Sequence, residues 1–208
     1  MQHNLFKKLS REIANLYSTR LLLLMLLAVA AFFWLFNFSH VPFSNPSLMK
    51  VSGHDGFLDV MPFYSAQEAF SILGRYSAEG REIYLKFLAV DFIFIPVYSL
   101  GFALLFTCAI QSKFGKGDAK LWLNLLPLGI GLFDCLENIC ILGMLFIFPE
   151  TNLALGTISG LATLCKNILM LMSLLCLGYL GIGLLIYRLN PLHHNNNQSS
   201  STRVRSNP

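Results

Sequence analysis

Four charged residues lie inside long apolar stretches of the 208-residue sequence: Asp91, Asp134, Glu137 and Lys166. Placing an Asp or Lys side chain at the centre of a bilayer costs at least about 2.5 kcal/mol on insertion scales, so these residues are candidates for function. Carboxyl groups close together in a low dielectric cannot all stay ionised. We expect Lys166 to pair with one carboxylate and another carboxyl to keep its proton, which would make that group a proton donor or carrier near neutral pH. The four residues are the predicted catalytic cluster.

Other polar residues recur at helical spacing from these charges. Tyr84 and Tyr98 lie seven residues before and after Asp91, which places all three on one face of a helix. Asn138 lies four residues after Asp134 and joins its polar patch. The residues predicted to bind a ligand around the cluster are Asn138, Tyr98, Tyr84, Arg81 and Asn167.

A different interpretation remains open for some of these side chains. Taken alone, Tyr84 and Tyr98 are best explained as interfacial tyrosines, because tyrosine is common where a helix leaves the membrane. Tyr64 and Arg81 are interpreted as surface residues unless they fold over the cluster as a lid. Buried ion pairs and asparagines also hold membrane helices together, but four charges with two asparagines and two tyrosines exceed what adhesion requires.

The elements that must position these residues are transmembrane helices. The chain is 55% hydrophobic and 12% charged, with a mean hydropathy of +0.59. Soluble domains carry about 25% charged residues, and disordered chains need low hydrophobicity, so both classes are excluded. Four stretches reach the roughly 20 apolar residues that span a bilayer. They cover about residues 21–38, 84–110, 121–148 and 153–187. The sequence therefore predicts an all-α, four-helix transmembrane bundle.

Loop charges predict how this bundle is oriented. With four spans, ten Lys and Arg residues fall on the side of the two termini, whereas the other side carries four basic and six acidic residues. Cytoplasmic loops are enriched in Lys and Arg, so we expect a multi-pass protein of the cytoplasmic (inner) membrane with both termini inside. Its expected partner is the lipid bilayer. The net charge of +4 is too small to indicate nucleic-acid binding.

The first two spans are separated by a loop over residues 39–83. Residues 41–63 contain three prolines and are interpreted as irregular. Ser65 and Glu68 match a capping box, which predicts a short amphipathic helix on the outer membrane surface that stops at Gly74. Residues 1–188 form one predicted domain, and the Asn- and Ser-rich tail 189–208 is predicted to be disordered.

The sequence predicts neither a metal site nor a cofactor. All five cysteines fall within the predicted spans, and no CxxC or other ligand spacing occurs. Cysteine in such positions is a small membrane hydrophobe.

A wider set of residues extends this pattern over about residues 58–170. It comprises Leu58-Asp59, Tyr64, Glu68, Leu73-Gly74, Gly80-Arg81, Tyr84, Asp91, Pro96-x-Tyr98, Asp134-x-x-Glu137-Asn138 and Lys166. With its D-x-x-x-x-P-x-Y and D-x-x-E-N motifs, the chain resembles an uncharacterised family of small four-span bacterial integral membrane proteins. The resemblance implies a membrane architecture and this choice of polar residues, and it implies no reaction.

Three functions remain open at this point. The first is a membrane-embedded enzyme for a lipid-like substrate, in which Asp134 and Glu137 do acid–base work and Lys166 stabilises negative charge. The second is a small proton-coupled transporter of a small molecule, which would need a homo-oligomer because four helices enclose only a narrow path. The third is an assembly factor in which the cluster only holds the helices together.

Overall fold

The computed structural model describes residues 2–53, 56–117 and 119–189, and these residues form helices and no β-strand. The α-helices are α1 (Gln2–Leu16), α2 (Thr19–Phe38), α3 (Asn45–Ser52), α4 (Ala66–Arg75), α5 (Ala78–Phe114), α6 (Leu126–Ile147) and α7 (Leu153–Leu189). Short 3-10 helices cover Leu58–Val60 and Ala119–Leu125. The predicted disorder of the tail concerns residues that, apart from Leu189, lie outside the described ranges.

Four helical segments are long and apolar enough to cross a membrane, which confirms the predicted all-α fold class. They are Thr19–Phe38, Ala78–Phe114, Ala119–Ile147 and Leu153–Gly183. α5 and α7 have 37 residues each, or about 55 Å at 1.5 Å per residue. Because the hydrocarbon core is only about 30 Å thick, both helices extend beyond it.

The spans alternate in direction, so the bundle has two distinct ends. The basic end carries α1, the end of α5, the 3-10 helix before α6 and the end of α7. The loop end carries residues 39–53, 56–77 and 148–152. α1 was not predicted from the sequence, and it packs at the basic end against α5 and the 3-10 helix before α6. Its buried Ile13 and Ser10 face this junction, where Asn124 donates a hydrogen bond to the Ser10 carbonyl at 3.0 Å.

The loop end is more ordered than the sequence predicted. Residues 45–52 form α3 within the segment interpreted as irregular, because Ser44 caps the helix by accepting from the Ser47 amide at 3.4 Å. The capping box of α4 forms as predicted. The predicted stop at Gly74 is wrong by one residue, since α4 ends at Arg75.

α4 packs on the helical bundle. Ala69 and Leu73 are fully buried, and the helix contacts α7. The contact is close because Gly156 and Gly160 of α7 have no side chains: a Cβ on Gly156 would lie 2.8 Å from the Ala66 Cα, and one on Gly160 would overlap the Tyr64 carbonyl oxygen. Two glycines four residues apart are a common close-packing device of membrane helices.

Candidate functional site

Lys166 on α7 lies at the centre of a buried polar cluster. Its Nζ is 2.9 Å from Oδ1 of Asp134 and 2.6 Å from Oε2 of Glu137. The Lys166 and Asp134 side chains are only 9% and 12% exposed, and that of Glu137 is 0% exposed. The sequence predicted that Lys166 pairs with one carboxylate, whereas in the structure it pairs with two. α6 and α7, which pack along their length, bring the three residues together.

Glu137 is held from several sides. Its Oε1 accepts hydrogen bonds from the Tyr64 hydroxyl at 3.1 Å and from the Thr163 hydroxyl at 2.6 Å. The Tyr64 hydroxyl is also 2.7 Å from Oγ of Ser159. Tyr64 is not a surface residue: it is fully buried and reaches the cluster from the loop, which corresponds to the alternative that it folds over the cluster. Glu137 thus has the contacts of a fixed anchor for the Lys166 ammonium.

α5 contributes the other side of the cluster. The Tyr98 hydroxyl donates to Oδ2 of Asp134 at 2.7 Å, and Asn138 Nδ2 donates to Oδ2 of Asp91 at 2.6 Å. Tyr98 is 8% exposed and therefore does not behave as an interfacial tyrosine. The other amide atom of Asn138, Oδ1, is buried without a hydrogen-bond partner within the described residues. Such an atom in a native interior calls for an explanation such as a water or ligand.

The small residues of α6 permit this approach of α5. A Cβ on Gly131 would overlap Oγ of Ser99 and would lie 3.2 Å from Cγ2 of Ile95. Gly131 precedes Asp134 by three residues, so the close contact lies directly beside the cluster. The absence of a side chain at Gly131 therefore allows α5 to approach α6 closely at this point.

Residues 57–64, here named the cover segment, close the loop end of the cluster. Tyr84, fully buried on α5, accepts from the Leu58 amide at 3.0 Å and donates to Oδ1 of Asp59 at 2.9 Å. Phe57 stacks on Phe87 with ring centroids 4.0 Å apart, which fixes the start of the segment on the same helix. The interfacial interpretation of Tyr84 is therefore wrong.

α7 holds the far side of the cover segment. Asn167 Nδ2 donates to the carbonyl oxygens of Met61 at 3.3 Å and Pro62 at 3.0 Å. Lys166 Nζ lies 3.5 Å from the Asp59 carbonyl oxygen. The two adjacent polar residues of α7 therefore bind the segment through its backbone, a contact that does not depend on side-chain identity in the segment.

Asp59 is a member of the site that the sequence analysis counted only as a loop acid. Burial raises the pKa of its carboxyl from 3.8 to about 8; the Lys166 ammonium opposes the rise, and Glu137, Asp91 and Asp134 add to it. No helical spacing connects Asp59 to the other residues. Its presence in the wider pattern of residues 58–170 was the only signal that pointed to it.

Arg81 is the predicted binding residue that the fold does not bring to the cluster. Its guanidinium donates to the Tyr76 carbonyl and lies 4.1 Å from the centroid of the Phe148 ring. Both contacts are at the loop end, where they connect the start of α5 to the end of α6. All the other predicted site residues, both catalytic and binding, belong to the cluster or bind its cover segment.

The cluster contains four carboxyl groups and one ammonium. Among the described residues, no three His, Cys, Asp or Glu side chains converge in a way that could hold a metal ion. The chemistry that these side chains themselves can supply is proton transfer and stabilisation of charge.

Comparisons with known proteins add no homologue. No family model, no curated protein and no solved structure matches the chain. The resemblance to small four-span bacterial proteins stays a prediction, and the function is argued from the geometry of the site.

Proposed function

We propose that the protein is a membrane-embedded enzyme that acts on a lipid-like substrate by proton transfer. The observation that carries the proposal is the Lys166 ammonium held within 2.6 and 2.9 Å of two carboxylates inside an apolar bundle. Two further carboxyls belong to the same cluster, Asp59 bonded to Tyr84 and Asp91 bonded to Asn138. One buried pair would serve to hold helices together, whereas an excess of carboxyls over cations provides groups that can exchange protons.

The geometry divides the roles among these residues. Asp134 is the proposed acid–base group, because its side chain keeps 12% exposure and the Tyr98 hydroxyl orients it at 2.7 Å. Lys166 would stabilise negative charge that develops on the substrate. Glu137, to which the sequence analysis gave acid–base work, acts in this proposal as a positioning residue for Lys166, because its contacts leave it fully buried.

A lipid-like substrate fits the surroundings of the site. The cover segment closes the loop end, so a substrate would have to reach Asp134 from the bilayer, between the helices. Val60 and Phe63 of that segment are 58% and 47% exposed, which favours contact between the segment and lipid. A substrate with an apolar body and a polar reactive group would place that group beside Asp134 and keep its body in the membrane.

A proton-coupled carrier is the second candidate, and one specific observation favours it. Asp134 and Glu137 are bridged by the Lys166 ammonium, and Asp91 and Asp59 add two further carboxyls beside them. Intramembrane carboxylates of this kind are typical of proton relays. Such a carrier would form a homo-oligomer to enclose its path. In either case we propose that the protein resides in the cytoplasmic membrane with the basic end inside, following the charge asymmetry.

The test compares Asp134→Asn with a matched exposed carboxylate. Glu82→Gln is the control, because Glu82 pairs with Lys86 at 2.8 Å on the surface and its side chain is 65% exposed. Each variant replaces the chromosomal copy, and both membrane abundance and the full lipid composition are measured beside a deletion strain. We expect the deletion and Asp134→Asn strains to accumulate the same lipid species, with Asp134→Asn at normal abundance and Glu82→Gln indistinguishable from wild type.

Three other outcomes would contradict the enzyme. An unchanged lipid composition with loss of proton-driven solute uptake in both strains would favour the carrier. An unchanged lipid composition together with unchanged solute uptake would exclude both the enzyme and the carrier. Loss of Asp134→Asn from the membrane would assign Asp134 to folding if Asp134→Glu, which keeps the charge, restores both the abundance and the lipid composition of wild type.

A further inference from the structure

A cavity opens at the basic end, far from the polar cluster. It has a volume of about 620 Å³ and lies between the end of α1, the start of α2, the end of α5 and the turn that follows. Pockets that bind small molecules or headgroups typically measure about 300–1,000 Å³. Along α5, Gln111 at the cavity is twenty residues from Asp91, or about 30 Å. The cavity is therefore independent of the proposed catalytic site.

The lining of the cavity suits an anion. Arg11 and Lys116 provide two positive charges, and Asn15, Gln111 and Ser18 provide neutral polar groups. The described lining residues include no carboxylate. Neither Arg11 nor Lys116 forms an ion pair with a described residue. Both cations are thus available to a ligand, and an arginine can bind a phosphate through two parallel hydrogen bonds.

The position of the cavity indicates where its ligand comes from. α1 exposes Leu5, Phe6, Leu9 and Leu16, each more than 40% accessible, and it carries Lys7, Lys8 and Arg11. A basic helix with exposed apolar side chains lies in the interface between headgroups and acyl chains. The span of α2 starts at Thr19 beside the cavity, and that of α5 ends at Phe114. The cavity therefore opens at the depth of the lipid headgroups.

We propose that this cavity binds the phosphate of an anionic phospholipid headgroup, with Arg11 and Lys116 as its charged ligands. The phosphate would neutralise both cations, and the polar side chains would contact the glycerol or other headgroup atoms. The acyl chains would lie beside the exposed apolar side chains of α1. This site would fix α1 on the bundle at the membrane surface, because α1 and the turn after α5 supply one cation each.

The test uses the full chain purified in neutral detergent and titrated with lipids of identical acyl chains. Native mass spectrometry counts bound dioleoylphosphatidylglycerol or dioleoylphosphatidylcholine. The cavity variant is Arg11→Gln with Lys116→Gln. The matched control is Lys7→Gln with Lys8→Gln, which also removes two positive charges, but from residues of α1 that do not line the cavity. Gln111→Glu is a second cavity variant that keeps size and adds a negative charge.

We expect wild type to prefer phosphatidylglycerol. A basic residue near anionic lipid contributes about fivefold in affinity, so the cavity pair should lose about 25-fold and the control pair no more than about fivefold. Gln111→Glu should also weaken binding by at least about fivefold.

Three results would overturn the proposal. Equal losses in the cavity and control pairs would indicate general surface attraction. Equal binding of the two lipids would show that the cavity does not select an anionic headgroup. Displacement of the lipid by an equal concentration of inorganic phosphate would make free phosphate the ligand.

Discussion

Lys166→Met is the substitution that most directly tests whether the cluster is held as the structure indicates. The variant keeps the length and apolar stem of the side chain and removes the ammonium. Asp134 and Glu137 would then face each other, buried on α6, without the cation that lies within 2.9 Å of each. The bonds of Glu137 to Tyr64 and Thr163 would remain.

The magnitude follows from the burial of the pair. Removing one partner of a buried ion pair typically costs about 3–5 kcal/mol, because it leaves a charge without compensation. Here two carboxylates lose their cation, so we expect the free energy of unfolding to fall by about 3–5 kcal/mol at neutral pH. Lys86→Met is the control, because Lys86 is 49% exposed in a surface pair with Glu82 and such pairs contribute about 0–1 kcal/mol.

The assay is reversible unfolding in mixed micelles with increasing dodecyl sulfate, followed by helical circular dichroism. The double variant Lys166→Met with Glu137→Gln removes the ammonium together with one of the carboxylates it leaves behind, so it should be more stable than Lys166→Met alone. A loss below about 1 kcal/mol for Lys166→Met would refute the reasoning. So would a double variant whose loss equals the sum of the two single losses, because the pair would then be uncoupled.

Three further predictions address the cover segment and the orientation. Gly160→Ala should destabilise the fold by about 1–3 kcal/mol in the same assay, because its Cβ would overlap the Tyr64 carbonyl; Gly178→Ala on the same helix has no atom within 4 Å of its Cβ and should cost nothing. Because burial raises the pKa of Asp59 from 3.8 to about 8, the folded state holds a proton that the unfolded state releases. The contribution of this proton to stability is complete below about pH 4 and is lost as the pH rises through 8. Asp59→Asn should reduce this fall in the free energy of unfolding by at least about 1.4 kcal/mol, the equivalent of one pKa unit. Identical dependence of the free energy of unfolding on pH in the wild type and the variant would contradict this prediction. Alkaline phosphatase fused after Asn152 should be active, and a reporter that functions only in the cytoplasm should be inactive there.

The spans and most of the cluster could be predicted because both follow from local rules. Apolar length identifies a transmembrane helix, and the seven-residue spacing of Tyr84, Asp91 and Tyr98 places side chains on one face without knowledge of the partner helices. Charged residues on three of the spans then predicted that Lys166 pairs with a carboxylate, without indicating which one.

The cover segment could not be predicted in the same way. Its position depends on contacts between residues far apart in sequence, such as Tyr64 with Glu137 across 73 positions and Asp59 with Tyr84 across 25. Tyr64 was interpreted as a surface residue unless it folded over the cluster as a lid, and its buried contact with Glu137 corresponds to the second alternative. The overlooked signal is Gly156-x-x-x-Gly160, whose missing side chains let the backbone of this segment pack on α7.

In the proposed enzyme, the hydrogen-bond pattern distinguishes the carboxyl that holds the bundle from the one that reacts. Glu137 accepts from Tyr64 and Thr163, pairs with Lys166 and is fully buried, so replacing it would remove several stabilising contacts at once. Asp134 has one hydroxyl partner and the ammonium, and it keeps some exposure. A group that exchanges a proton with a substrate has to be within reach of it. Asp134 meets that condition better than Glu137, and this is why loss of Asp134 should affect turnover before stability, whereas loss of Glu137 should affect stability first.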